Sequence, residues 1–468
     1  MIRRVLYIIS LFLALAQSAT AQVDTSQVMG LSDFLKIVRE FHPLGKQANL
    51  RVEYGEENLK SKRGAFDPYL YGDVSQKYFD NKQYYDLVNA GMKIPTWFGI
   101  ELDAGFEQTS GDFLNPQRAT PTNGLAHAGI SIPIGQDLFI DQRRADLRKA
   151  QIYQQITETE RQILLNDLFK SAISAYWEWV GTAQKYSIFE EGLELARVRY
   201  RAVTQSALIG EDPAIDTVEA FIQYQNRRIS LQNATLDYQN ATAQLEVFIW
   251  NKDGIPLELS VDIKPPKADD ISSTIDTDAM RERLDTLIMT HPKLAKNQLY
   301  LEQLEIQRKL DLERLKPQLD LKYNALNEPV TGDIIEGYSI NNYNWGLTFK
   351  MPIFLRKERG QLQKTNINIK EKTYALDQME RDLNYNVIAA LNTWEVTQQQ
   401  LGGYGDIVTS TNRLLNAEQQ KFDSGESSLF LVNARELKYI NTQVKFVDLL
   451  IKSQKAFMDI EYQLGRLN

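Results

Sequence analysis

The chain has 468 residues, of which 43% are hydrophobic, with 53 basic against 61 acidic side chains and no cysteine. An acidic balance argues against a nucleic-acid partner, which asks for a basic face. The absence of cysteine excludes disulfides and a thiol-linked lipid anchor.

Residues 1–21 read as a secretory signal: Arg3 and Arg4, an apolar core from Val5 to Ala16, then Ala19-Thr20-Ala21 before Gln22. Its removal leaves 51 basic and 61 acidic residues, a net charge of −10. Beyond it no run of about 18 apolar residues occurs, so no transmembrane helix is expected. A bilayer could be crossed only by a closed barrel.

From Leu31 to Lys62 the spacing is helical, with a break expected at His42-Pro43, because proline lacks a donor and disfavours helix in the residue before it. At Asp67-Pro68 the period changes from 3.6 to 2. Leu70 and Val74 fall on one side, and Tyr69, Tyr71, Asp73 and Ser75 on the other. The clearest strand sets Phe98, Ile100, Leu102, Ala104 and Phe106 against Gly99, Glu101, Asp103, Gly105 and Glu107. In a soluble sandwich its apolar side would be core; in a membrane barrel it would face lipid while Glu101, Asp103 and Glu107 line the lumen. The pattern fits both. A weaker strand is expected over Tyr85 to Ile94, and another through Ala126, Ala128, Ile130, Ile132 and Ile134.

Residues 141–208 contain no proline and only Gly181 and Gly192, which predicts one helix roughly 100 Å long. Tyr186, Phe189, Leu193, Ala196, Tyr200 and Val203 give it a coiled-coil seam. After a reversal at Gly210 to Pro213, a return helix repeats Ile215, Ile222, Ile229, Leu236, Ala243 and Trp250 every seven residues. Two antiparallel helices on so short a loop should pack as a hairpin. Prolines and polar residues over 251–279 mark a linker.

The same programme then returns. His42-Pro43 and Pro68 recur 249 positions later as His291-Pro292 and Pro317, whereas Pro133 recurs 219 later as Pro352. The first copy thus carries 30 more residues between its strands. Trp177 matches Trp394, Gly210 matches Gly425, and the return-helix heptads become Phe430, Leu437, Val444, Ile451 and Met458. The domain plan is a signal (1–21), a first repeat (22–250), the linker and a second repeat (280–468).

Met351-Pro352-Ile353-Phe354 running into Arg356, Lys357 and Arg359, Gly425-Glu426-Ser427-Ser428-Leu429 before Ala434-Arg435, and the closing Leu464-Gly465 resemble the TolC family of outer membrane efflux and secretion channels. The resemblance implies an α+β membrane protein: duplicated long antiparallel helices, with strands that close a transmembrane barrel as a homotrimer. It further implies an outer membrane duct with a periplasmic extension, served by a periplasmic adaptor and an inner membrane pump. Asp216, Glu219, Glu426 and Asn433 become aperture candidates, and Gly210, Glu211, Gly425 and Ser427 mark adaptor-docking tips. For Asp216 the charge preference of a helix N-terminus is the competing explanation. No cofactor, metal or enzymatic site is expected, since the three histidines are scattered and no phosphate loop or nucleophile motif occurs. The alternative reading is a periplasmic coiled-coil scaffold or adaptor without a pore.

Overall fold

A computed structural model describes residues 28–210, 213–260, 262–267, 275–329 and 338–467. The expected signal at 1–21, Glu211 and part of the expected linker lie outside the described residues.

The predicted first helix is two: α1 (Leu31–Phe41) and α2 (Pro43–Arg63), with His42 extended between them at φ −65°, ψ 134°. Four strands follow, β1 (Tyr69–Phe79), β2 (Lys82–Pro95), β3 (Glu101–Ser110) and β4 (Leu125–Pro133). The helix α3 (Gln142–Leu208) runs unbroken for 67 residues and α4 (Ala214–Glu246) returns. Asp141 caps α3, its Oδ1 accepting from the Arg144 amide at 2.7 Å. Two short helices, α5 (Thr277–Glu282) and α6 (Leu284–Met289), precede α7 (Pro292–Glu313), where His291 is again extended before its proline. Strands β5 (Gln318–Asn327) and β6 (Tyr343–Lys350) lead into α8 (Arg356–Asp423) and its return α9 (Leu429–Gln463). Helix, strands, long helix and return helix therefore run twice, with four strands the first time and two the second.

The contacts cluster into two compact units. One takes in Met1–Pro43, Phe169–Ile275 and Leu391–Asp459; the other takes in Leu44–Leu168, Asp276–Ala390 and Ile460–Asn468. Each draws on both copies of the programme.

The first unit is helical. Phe34, Tyr176, Trp177, Trp179 and Trp394 are buried in it, as mid-helix tryptophans packed between helices should be. The predicted α3 seam holds, with Ala196 and Val203 buried and Tyr200 stacked on Tyr224 of α4. The seam predicted for α4 does not. Ile215, Ile222, Ile229 and Leu236 are exposed, while Ala220, Arg227, Ala234 and Ala241, also seven apart, are the buried residues. Three of these four are alanines, and the bulky stripe is left outward.

The second unit holds one six-stranded antiparallel sheet in the order β1-β2-β3-β4-β5-β6. The β1–β2 turn is Asp80-Asn81, both at φ near +55°, as a tight two-residue hairpin requires. The weakly signalled strand is β2, at 14 residues the longest of the six. The one expected to begin at Phe98 starts only at Glu101: residues 96–100 form the β2–β3 turn, closed by Thr96 donating to the Ile100 carbonyl at 2.5 Å.

Candidate functional site

The register sorts the sheet into two chemically distinct faces. One row across it reads Ile94, Leu102, Ile130, Tyr323 and Trp345, and the row beside it Leu70, Met92, Ala104, Ala128, Ala325 and Tyr343. The intervening rows of the opposite face read Tyr69, Lys93, Asp103, Gly129, Asn324 and Asn344, and Tyr71, Gly91, Gly105, His127 and Leu326. It is the apolar face that is exposed: Leu70 at 82%, Val74 at 73% and Trp345 at 61% relative exposure, whereas Asp103 is at 8%. Water would not tolerate that arrangement and lipid requires it.

Aromatic side chains bracket the apolar face. At the end nearest the helices stand Trp97, Phe98, Phe139, Phe349 and Phe354; at the end of the β1–β2 turn stand Tyr78, Phe79 and Phe113, all of them exposed. Phe98 belongs to this belt from the turn rather than from a strand. Two girdles flanking an apolar band are what a barrel needs at its two interfaces. A ten-residue strand tilted by about 40° spans about 25 Å, close to the thickness of that band.

On the polar face two of the three predicted lumen acids, Glu101 and Asp103, are partnered. Glu101 accepts from Arg143 at 2.7 Å, an arginine of the first turn of α3. Asp103 accepts from the Tyr71 hydroxyl at 2.9 Å, with Lys322 Nζ at 3.6 Å and His127 Nε2 at 3.8 Å. This group joins β1, β3, β4 and β5. Gly91 and Gly105 make room for it: a Cβ on Gly91 would come within 2.6 Å of the Tyr71 hydroxyl, and one on Gly105 within 2.8 Å of the His127 ring. Glu107 is half-buried, in register with Asn89. Only Asp103 of the three is deeply enclosed; sequence reasoning missed its partners because they come from three other strands.

In the helical unit, Gly210 (φ +80°) and Gly425 (φ +75°) both take the left-handed conformation that ends α3 and α8, with open space around each. Ser427 donates to Glu418 Oε1 at 2.6 Å, and Arg435 Nε lies 3.5 Å from the same carboxylate. These bonds hold the Glu418 carboxyl below its usual range, the Ser427 bond contributing most. Glu426 is exposed; Asp216 and Glu219 are half-buried, and Glu219 accepts from Gln223 at 3.2 Å. Asn433 departs from its expected place. It is 5% exposed, and its Oδ1 accepts from Arg199 at 3.0 Å. The same arginine donates to Glu436, and Arg227 Nε lies 3.6 Å from that carboxylate. Burial pulls Arg227 below the ordinary guanidinium range while Glu436 opposes the shift. The cluster ties α3, α4 and α9 together inside the helical packing, so Asn433 presents nothing to an aperture. Arg227 and Glu436 went unnoticed in the sequence because each sits among apolar heptads as an isolated charge.

Among the described residues no helix is long and apolar enough to cross a membrane, and no acidic, histidine or cysteine cluster could hold a metal. A sheet with an exposed apolar face opposite a polar face of partnered side chains has the pattern of a membrane barrel wall.

Residues 284–458 match the family model described as outer membrane efflux protein. Similar solved structures include the Campylobacter jejuni CmeC outer membrane channel, at 14% identity and TM-score 0.65, covering 93% of this chain and 85% of that one. The outer membrane protein VceC of Vibrio cholerae is 13% identical at TM-score 0.66, with 93% and 96% covered. The open-state MtrE outer membrane channel of Neisseria gonorrhoeae is 13% identical at TM-score 0.67, with 94% and 89% covered. No curated protein matches the sequence. Residues 284–458 are thus similar to the outer membrane efflux protein family, and the chain has the fold of the TolC-family channels.

Proposed function

We propose that this protein is the exit duct of a tripartite efflux or secretion system, a passive trimeric barrel in the outer membrane whose helices line a periplasmic tunnel. The observation that carries the reading is the inverted sheet: an exposed Leu/Ile/Val/Trp face opposite a face whose Asp103, His127 and Asn324 are enclosed. A soluble scaffold or adaptor would bury the first and hydrate the second. Trimer formation is supported by the outward heptad stripe Ile215, Ile222, Ile229 and Leu236, which is exposed among the described residues and has the spacing of a helix–helix seam. The tip turns at Gly210 and Gly425 would meet the adaptor, and an inner membrane pump would supply the energy. Asp216, Glu219 and Glu426 remain the aperture acids. Because Glu101 and Asp103 are already partnered, the ion preference of the duct falls to the tips and to acids such as Asp73 and Glu107.

Planar-bilayer recording of the detergent-extracted protein, beside its oligomeric mass, tests the reading. A trimer that opens water-filled pores is expected. A monomer that needs no detergent and carries no current would hand the protein to the scaffold class.

A further inference from the structure

The two copies contribute unequally to the sheet. The second gives one hairpin, β5–β6. The first gives β1 to β4, with its 30 extra residues between prolines that otherwise correspond. Even doubling would put four strands in each chain and twelve in a trimer.

The added segment is not an external loop. Strand β2 pairs along β1 from Lys82 to Lys93 and along β3 from Asp86 to Pro95. Its Val88, Ala90, Met92 and Ile94 continue the apolar face, and its Asn89, Gly91 and Lys93 continue the polar one. Tyr71 of β1 reaches across Gly91 to Asp103 of β3, fastening the added strands to the wall from the lumen side. Among the described residues the sheet ends at β1 on one side and at β6 on the other.

Both end strands carry exposed apolar side chains, Leu70 and Val74 on β1, and Trp345, Leu347 and Phe349 on β6, so both lie in the lipid band. Open strand edges are not tolerated there. Strand β1 runs away from its helix and β6 runs back towards one, so β6 of one copy and β1 of the next can pair antiparallel like every other pair in the sheet.

We infer that β6 pairs with β1 of a second copy of this chain and that three copies close an 18-stranded barrel. The inference rests on the trimeric duct reading. At strand spacings of about 4.8 Å and tilts of about 40°, eighteen strands give a backbone diameter of about 36 Å, against about 24 Å for twelve. Eighteen strands leave an aqueous lumen at the membrane, as sixteen to eighteen do in porins. The outer membrane segment would then admit bulky cargo, and selection would fall to the helical tips.

The cysteine-free chain allows a direct test. Asp73 of β1 and Glu107 of β3 stand at the same height in the sheet, linked through Asn89. Asp73→Cys and Glu107→Cys would each be combined in turn with Asn344→Cys, Gly346→Cys and Thr348→Cys of β6, a set that covers register stagger. A short bis-thiol reagent would be applied to membranes, with single-cysteine chains as folding controls. Covalent dimers and trimers are expected with a β1 position and are not expected with Glu107→Cys. Cross-linking through Glu107→Cys would mean that β3 forms the seam in a twelve-stranded barrel, and would overturn the inference while leaving the duct intact. Failure of every β1 combination in trimers that still conduct would overturn it as well. Loss of both trimers and current in the single-cysteine controls would instead count against the duct reading.

Discussion

The sheet and the helical unit solve opposite problems with the same amino acids. In the helices, apolar side chains such as Phe34, Trp179 and Leu391 fill the core, and in the charged cluster of Arg199, Arg227 and Glu436 two guanidiniums share one carboxylate. In the sheet the enclosed residues are Asp103, His127 and Asn324, and the large hydrophobes stand outside. The difference teaches that burial alone does not mark a core here; what matters is which solvent lies beyond the surface.

The sharpest way to break the helical side is to remove the shared carboxylate. Glu436→Ala leaves two arginines facing each other without a counter-charge, at a cost of about 3–5 kcal/mol. The midpoint of thermal loss of helical circular dichroism should fall accordingly, whereas Glu436→Gln should lose less by keeping hydrogen-bond acceptors. On the sheet side, Leu347→Arg places a charge on the lipid face and should cost about 2–4 kcal/mol near the midplane. Gly346→Arg, one residue away on the polar face with open space around it, should leave the trimer yield on denaturing gels nearly unchanged.

A third effect depends on pH. His291 is 2% exposed, and its Nδ1 accepts from the Lys293 amide at 3.0 Å. Burial, with Lys293 adding to it, pushes its pKa down from 6.5 to about 4. The unfolded chain therefore takes up a proton between those values that the folded chain refuses. Stability is whole above pH 6.5 and falls as the pH drops towards 4, by at most about 3 kcal/mol. His291→Asn, which keeps a side-chain acceptor for the Lys293 amide, should flatten that part of the acid denaturation curve. The smallest effect on stability comes from Asp216→Ala, at the half-buried start of α4. It should raise single-channel conductance by loosening the closed tip, with no change in melting; unchanged conductance would remove Asp216 from the aperture.

Much of this was legible in the sequence because period and punctuation are local properties. The alternation of Leu102, Ala104 and Phe106 with Glu101, Asp103 and Glu107, and the prolines at 43, 292, 133 and 352, place strands and helix breaks without any tertiary knowledge. Strand β2 was faint because Ala90 and Gly91 weaken its alternation and Asp86 interrupts it; pairing on both sides, not propensity, holds it straight. The Ile215 stripe misled because a heptad reports that a seam exists and not whose helix fills it. Asn433 misled for a related reason: its place two residues before Arg435 says nothing of Arg199, which lies 234 positions away. The charges on Asp103 were visible, but Lys322, its partner from β5, was not.

The central claim is that the two faces of the sheet meet different solvents, and single-cysteine labelling along β4 tests it most directly. Each of positions 126 to 132 would carry the only thiol in the chain and be exposed, in intact trimers, to a membrane-impermeant maleimide. Labelling at 127, 129 and 131 with protection at 126, 128, 130 and 132 is the predicted result, with the protected set reacting once detergent strips the lipid. Equal labelling of both sets, or the reverse alternation, would contradict the barrel wall.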